Sequence, residues 1–257
     1  MEFKVLGTMS PYATKNTNCP GFLITDGDYK IMLDCGSGTH RMLNYPDDLE
    51  NLHVIISHLH RDHYNDVYNL QYSSFVYHNQ RRIEMSISIS LPQTPIRQYE
   101  DVVGEELAFA VYNTINEEST LHVGDMIVSF CKTSHPIETY AIKVTNGKNT
   151  IVYTADTSYL AKDKLVEFAK GADLLICESS LLKSYGFPEI NSHLTAEQAG
   201  IIAREAGVAN LMLTHFWPEE NTAKFVDEAY ETFHKGTVFP AKEGESFKFE
   251  ESYDLFD

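Results

Sequence analysis

Several short apolar runs in this chain stop directly before a residue that can bind a metal ion. Val54-Ile55-Ile56-Ser57 precedes His58, Phe130–Ser134 precedes His135, Ile151–Ala155 precedes Asp156, and Leu211–Thr214 precedes His215. Their β-branched and aromatic content reads as buried strand. If such strand ends gather at one edge of a sheet, they form a rigid polar site, because strands fix side-chain directions better than loops do.

Other runs of the same character are Lys4–Gly7, Gly21–Thr25, Tyr29–Leu33, Met126–Cys131, Tyr140–Thr145, Thr150–Thr154 and Leu174–Cys177. Helical patterns with recognisable ends lie between them. Thr195-Ala196-Glu197-Gln198 is a capping box, followed by Ile201, Ile202 and Ala206 on an apolar face and by Gly207 as a stop. Pro218 opens a second helix running through Phe225, Val226, Ala229, Tyr230 and Phe233 to Gly236. Strands dominate early and alternate with helices later, which implies an α/β or α+β layered fold. No repeat or linker interrupts the 257 residues, so residues 1–257 read as a single domain. Within it, Glu84–Leu91 alternates like an exposed strand, and 76–120 reads as a lid or interaction flap.

The dense motif is Ser57-His58-Leu59-His60-Arg61-Asp62-His63. In extended chain His58 and His60 point the same way. A turn or helix start just afterwards brings Asp62 and His63 round to a second position. Imidazole and carboxylate without thiolate suit zinc, with manganese or iron as alternatives. Taken singly, His135, Asp156, His193 and His215 each have an ordinary reading as a turn, cap or core residue; the joint pattern gives them weight. The cysteines Cys19, Cys35, Cys131 and Cys177 show no CxxC spacing, which argues against a disulfide framework or a thiolate metal site.

Charge and hydropathy exclude further classes. The formal net charge of −17 is spread along the chain, and the longest basic run is Arg81-Arg82, so extended nucleic acid is disfavoured as a partner. No window approaches the roughly 18 apolar residues of a membrane helix. The N-terminus lacks a basic region followed by a long apolar one, and the expectation is a cytoplasmic protein with no membrane partner.

At this point the residues resemble the metallo-β-lactamase superfamily and, within it, the ribonuclease Z-like branch. The signature HxHxDH is His58-Leu59-His60-Arg61-Asp62-His63. Leu6-Gly7-Thr8, Leu33-Asp34-Cys35-Gly36-Ser37-Gly38-Thr39, Thr154-Ala155-Asp156-Thr157, His193-Leu194-Thr195-Ala196 and Thr214-His215 follow that branch in order. The resemblance implies an α+β fold, the αββα four-layer sandwich with two mixed β-sheets flanked by helices. It implies two divalent ions, one held by His58, His60 and His135, the other by Asp62, His63 and His215, with Asp156 between them. Such ions share a hydroxide that acts as nucleophile and neutralise charge developing on a phosphoryl or carbonyl oxygen. Asp62, His193 and Glu178 are then the candidate catalytic residues. His193 contacts the scissile phosphate and leaving alkoxide, and Glu178 accepts a hydrogen bond from His193. Asp34 supports a metal-binding histidine or caps the Gly36-Ser37-Gly38 turn. A homodimer also follows from the resemblance.

One departure matters. Ribonuclease Z proteins carry a long tRNA-gripping arm between the third histidine motif and the bridging aspartate, whereas His135 and Asp156 leave room here for a strand pair only. The leading expectation is an arm-less metal-dependent phosphodiesterase acting on a small anionic or cyclic phosphodiester. The alternatives are a lactonase using Tyr64, Tyr159 or Tyr185 or another ester hydrolase on the same site, ribonuclease Z-like RNA processing, and a non-catalytic metal-binding regulatory module. In the last, Glu84–Leu91 and the cluster Tyr68, Tyr72, Phe75 and Tyr77 would form an oligomer surface.

Overall fold

Alternation along the strands sorts the side chains into layers. In the computed structural model, which describes residues 1–186 and 192–249, the strands form two sheets. One runs in the spatial order β14 (Ser246–Lys248), β1 (Glu2–Gly7), β2 (Gly21–Asp26), β3 (Tyr29–Leu33), β4 (Leu52–Ile55), β5 (Ile87–Leu91), β6 (Ala110–Thr114). The other runs β13 (Thr237–Pro240), β12 (Asn210–Thr214), β11 (Leu174–Glu178), β10 (Thr150–Tyr153), β9 (Tyr140–Thr145), β8 (Met126–Lys132), β7 (Thr120–Val123). Both sheets are mixed. Pairing is antiparallel from β14 to β3 and from β7 to β10, then parallel from β3 to β6 and from β10 to β13.

Phe3, Val5, Phe22, Ile24, Ile31 and Leu33 of the first sheet meet Val128, Phe130, Ile142, Val144 and Tyr153 of the second in a shared core. Within it Phe22 is stacked on Phe3 at 5.7 Å and edge-on to Tyr153 at 5.3 Å. Residues of opposite parity face outward. Leu23, Met32, Val54 and Ile89 pack under α2 (Val67–Asn79) and α3 (Ile96–Val103). Val152, Leu175, Leu211 and Leu213 pack under α4 (Lys162–Phe168), α5 (Ala196–Ala206) and α6 (Thr222–Tyr230). The order of layers is helix, sheet, sheet, helix, as the family resemblance implied.

The capping box forms as read: Gln198 N–H donates to Thr195 Oγ1 at 3.2 Å and Thr195 N–H to Gln198 Oε1 at 3.0 Å. Gly207, at φ 66°, ends that helix in the left-handed region open to glycine. Two expectations change. The helix expected from Pro218 begins at Thr222, because Glu219 adopts φ 69° and the Asn221 side chain caps by accepting from Ala223 N–H. It ends at Tyr230, short of Gly236. The strand expected to be exposed over Glu84–Leu91 is instead an inner strand, β5, hydrogen-bonded in parallel to β4 and β6. Its alternation reflects Ile87, Ile89 and Leu91 facing the helical layer, all fully buried. Of residues 76–120, β5 and β6 thus belong to the first sheet. Residues 187–191 and 250–257 of the expected domain lie outside the described residues.

All four cysteines are buried and unpaired, and among the described residues no helix is long and apolar enough to cross a membrane.

His53 on β4 is largely buried, with Nε2 2.8 Å from Ser90 Oγ. Burial pushes its pKa down to about 4, below the roughly 6.5 of an unfolded chain. The folded state therefore favours the neutral ring. The associated stability is complete above about pH 6.5 and is lost as pH falls toward 4, up to about 3 kcal/mol. His53→Gln should flatten this dependence, so the gap between wild-type and variant thermal midpoints should narrow from pH 7.5 to pH 4.5 in chelator-treated protein.

Candidate metal centre

Strands of both sheets deliver their C-terminal ends to the same edge. There β3 delivers Asp34, β4 leads to Ser57 and His58, β8 to His135, β10 to Asp156, β11 ends in Glu178, and β12 leads to His215. A single helical turn, α1 (Arg61–Tyr64), follows His60 and brings Asp62 and His63 round beside the strand ends. That turn is tied to the β3 loop through Cys35 N–H to His63 carbonyl, 2.7 Å. Asp34, Ala155 and His215 have φ of 56°, 51° and 66°. Left-handed backbone costs a non-glycine residue about 1 kcal/mol or more, so the surrounding contacts must hold these three bends at the site.

Two clusters of nitrogen and oxygen atoms result, joined by one carboxylate. In the first, His60 Nδ1 lies 3.1 Å from both His58 Nε2 and His135 Nε2, and Asp156 Oδ2 lies 3.6 and 3.7 Å from the latter two. In the second, His63 Nε2 and His215 Nε2 are 3.2 Å apart. Asp62 Oδ2 stands 3.6 and 3.7 Å from them, and Asp156 Oδ1 3.3 and 3.1 Å. Donors about 2.0–2.1 Å from a tetrahedral ion are separated by about 3.4 Å, so these spacings fit the edges of two such polyhedra. Asp156 Oδ1 is buried with no aligned hydrogen-bond donor, which is the signature expected of an oxygen reserved for a cation.

The outward nitrogens show the same fit. His63 Nδ1 is 2.7 Å from Asp34 Oδ2, His58 Nδ1 is 3.0 Å from Ser57 Oγ, His215 Nδ1 is 2.7 Å from Ser180 Oγ, and His135 Nδ1 is 3.2 Å from the Ser192 carbonyl. Each ring is thereby fixed with its other nitrogen facing the cluster. Asp34, fully buried, accepts from Ser57 N–H and Oγ–H and from Tyr153 O–H at 2.7–2.9 Å besides meeting His63. Ser10 Oγ donates to Asp62 Oδ2 at 2.9 Å.

Electrostatics follow from burial and neighbours. Burial holds His58, His60 and His135 below the usual histidine range, leaving neutral rings with free lone pairs. Burial also works against charge on His63, Asp62 and Asp156. For His63 the carboxylates Asp156, Asp62 and Asp34 outweigh it and raise the pKa. For Asp62 and Asp156 the histidines His63 and His215 outweigh it and lower theirs. Burial likewise opposes charge on His193, yet Glu178, 3.0 Å from His193 Nδ1, lifts its pKa to about 9.

Residues 29–216 match the β-lactamase superfamily domain. The chain is 31% identical over 245 residues to the Bacillus subtilis (strain 168) protein named "Probable metallo-hydrolase YhfI", covering 95% of this chain and 98% of that one. The chain belongs to the metallo-β-lactamase superfamily. The crystal structure of Bacillus subtilis YhfI superposes with a TM-score of 0.88, covering 96% of this chain and 98% of that one. Ribonuclease Z of Chlamydia trachomatis (serovar L2) is 24% identical over 298 residues, 95% of this chain and 96% of that one. Human tRNase Z, short form, shares the fold at a TM-score of 0.72 and 20% identity, covering 96% of this chain and 99% of that one.

In this superfamily member the residues singled out from the motifs, His58, His60, Asp62, His63, His135, Asp156, His193 and His215, converge within one site, and Glu178 reaches it through His193. Asp34 sits beside His63, as one of its two readings required. Sequence reasoning missed Ser10, Tyr153, Thr157 and Ser180, and left Ser57 without a role. Ser57 and Ser180 carried a signal, each standing within two residues of a motif residue. Ser10 carried none, since it approaches Asp62 across 52 positions of sequence.

Because Asp156 turns a different oxygen to each cluster, Asp156→Ala should weaken binding of two zinc ions per chain. His60→Ala should weaken one and His215→Ala the other, each at least tenfold in chelator competition. Asp34→Asn turns an acceptor into a donor facing buried donors and should lower stability by about 2–4 kcal/mol in denaturant titration.

Proposed function

We propose that the protein is a metal-dependent phosphodiesterase acting on small or cyclic phosphodiesters. The observation that carries this reading is the His193–Glu178 pair at the rim of the two clusters. His193 stacks on His215, with ring centroids 5.2 Å apart, and its Nδ1 is committed to Glu178 Oε1. Glu178 favours the protonated ring against the opposing burial, and Nε2 is the nitrogen that would hand a proton to a leaving alkoxide. Glu178, fully buried, is anchored by Thr157 N–H at 3.0 Å and so holds the ring in place. Asp62, oriented by Ser10, is the acceptor for a proton of the attacking water. Two divalent ions, zinc in this reading with manganese or iron as alternatives, would activate water and neutralise charge on the phosphoryl oxygens.

Substrate size follows from topology and charge. Between His135 and Asp156 the chain makes only the β9–β10 pair, so nothing there could act as a gripping arm. A net charge of −17 repels long polyanions, while two ions at one point attract a small anion. We therefore favour a short phosphodiester over tRNA, in a cytoplasmic protein that assembles as a homodimer.

Zinc-loaded protein should hydrolyse bis(p-nitrophenyl) phosphate and at least one member of a cyclic nucleotide panel. His60→Ala should abolish turnover, and His193→Ala should lower kcat about 10²–10⁴-fold while retaining its zinc. Turnover no greater than that of His60→Ala would overturn the reading, and homoserine lactone opening without phosphodiester cleavage would replace it with a lactonase.

A further inference from the structure

One oxygen of the Glu178 carboxylate serves His193; the other serves Ser180. Ser180 Oγ lies 3.1 Å from Glu178 Oε2 and 2.7 Å from His215 Nδ1, and Ser180 N–H reaches the same Oε2 at 3.3 Å. Glu178 and Ser180 are fully buried and His215 is 2% exposed, so water does not compete for these bonds.

The proton count then fixes the direction of every bond. A hydroxyl has one proton to give, and a carboxylate oxygen can only accept it. Ser180 O–H therefore donates to Glu178, and Ser180 Oγ accepts from His215 Nδ1–H. This selects the His215 tautomer whose Nε2 lone pair faces Asp62, His63 and Asp156, 3.1–3.7 Å away. Asp34 and Ser57 make a comparable arrangement on the other side of the site. Asp34 Oδ2 meets His63 directly, and Ser57 Oγ lies between that oxygen, at 2.9 Å, and His58 Nδ1, at 3.0 Å.

We propose that Ser180 is a positioning residue that sets His215 and Glu178 together, so that one carboxylate governs both the ion held by Asp62, His63 and His215 and the proton donor His193. The kinetic half rests on the phosphodiesterase reading; the metal-binding half stands without it. Removal of the hydroxyl leaves His215 Nδ1–H buried without an acceptor and frees the ring to turn, and Glu178 loses one of its donors.

The test uses the full chain. Ser180→Ala should bind one of two zinc ions ten- to a hundredfold more weakly in chelator competition, with the other ion unaffected. Its kcat on bis(p-nitrophenyl) phosphate should fall with little change in KM. Ser180→Thr, which keeps the hydroxyl, should restore both. Wild-type affinity for both ions in Ser180→Ala overturns the proposal, as does a loss that Ser180→Thr fails to rescue. Should Ser180→Ala not fold, the ¹H–¹⁵N histidine spectrum of zinc-loaded wild-type protein decides. His215 protonated at Nδ1 supports the proposal, and His215 unprotonated there overturns it. Rescued zinc binding in a protein that cleaves no phosphodiester would uphold the role of Ser180 and remove the proposed activity.

Discussion

Asp156 is the carboxylate around which both halves of the molecule close. It leaves the second sheet after β10, yet one oxygen faces His58 and His135 and the other faces His63 and His215, drawn from both sheets. A buried carboxylate without compensation costs several kcal/mol. Here the compensation comes from imidazoles that themselves lie at strand ends or on the turn after β4. The strand ends of the two face-to-face sheets must therefore line up at this point, and the shared core of Phe3, Phe22 and Tyr153 is what brings them there.

Beneath the two clusters lies a layer of hydrogen bonds that protein folding alone supplies. Asp34 and Glu178 are both fully buried and both accept several donors, and each governs one histidine directly and another through a serine. Tyr153 connects this layer to the hydrophobic core, because its ring packs on Phe22 while its hydroxyl donates to Asp34. Packing faults in the core would thus reach the site along a short path. Histidines held this way would lose little orientational freedom on binding a cation, so more of the binding energy would be retained.

The overall charge and the local field act in opposite senses. Negative charge distributed along a chain disfavours the approach of long polyanions. The clustered His58 and His135 act the other way, presenting neutral rings whose lone pairs suit a cation.

Much of this was legible before any coordinates. Strand runs that end on ligand side chains, the HxHxDH spacing and the Thr195 capping box are local features, fixed within a few residues of chain by side-chain periodicity and backbone hydrogen bonding. The helix α2 was not legible, since its tyrosines and polar residues spread around the axis without a 3.6-residue stripe, and β5 was misread because alternation marks facing but not whether a strand is inner or edge. The sequence by itself determined which groups could bind cations and that they end strands. Only the tertiary structure decided that Asp156 faces both clusters, that Ser10 meets Asp62 across 52 positions, and that Ser180 links Glu178 to His215. Hydrogen bonds between distant segments depend on distance and direction in space, and those are set by how the two sheets pack.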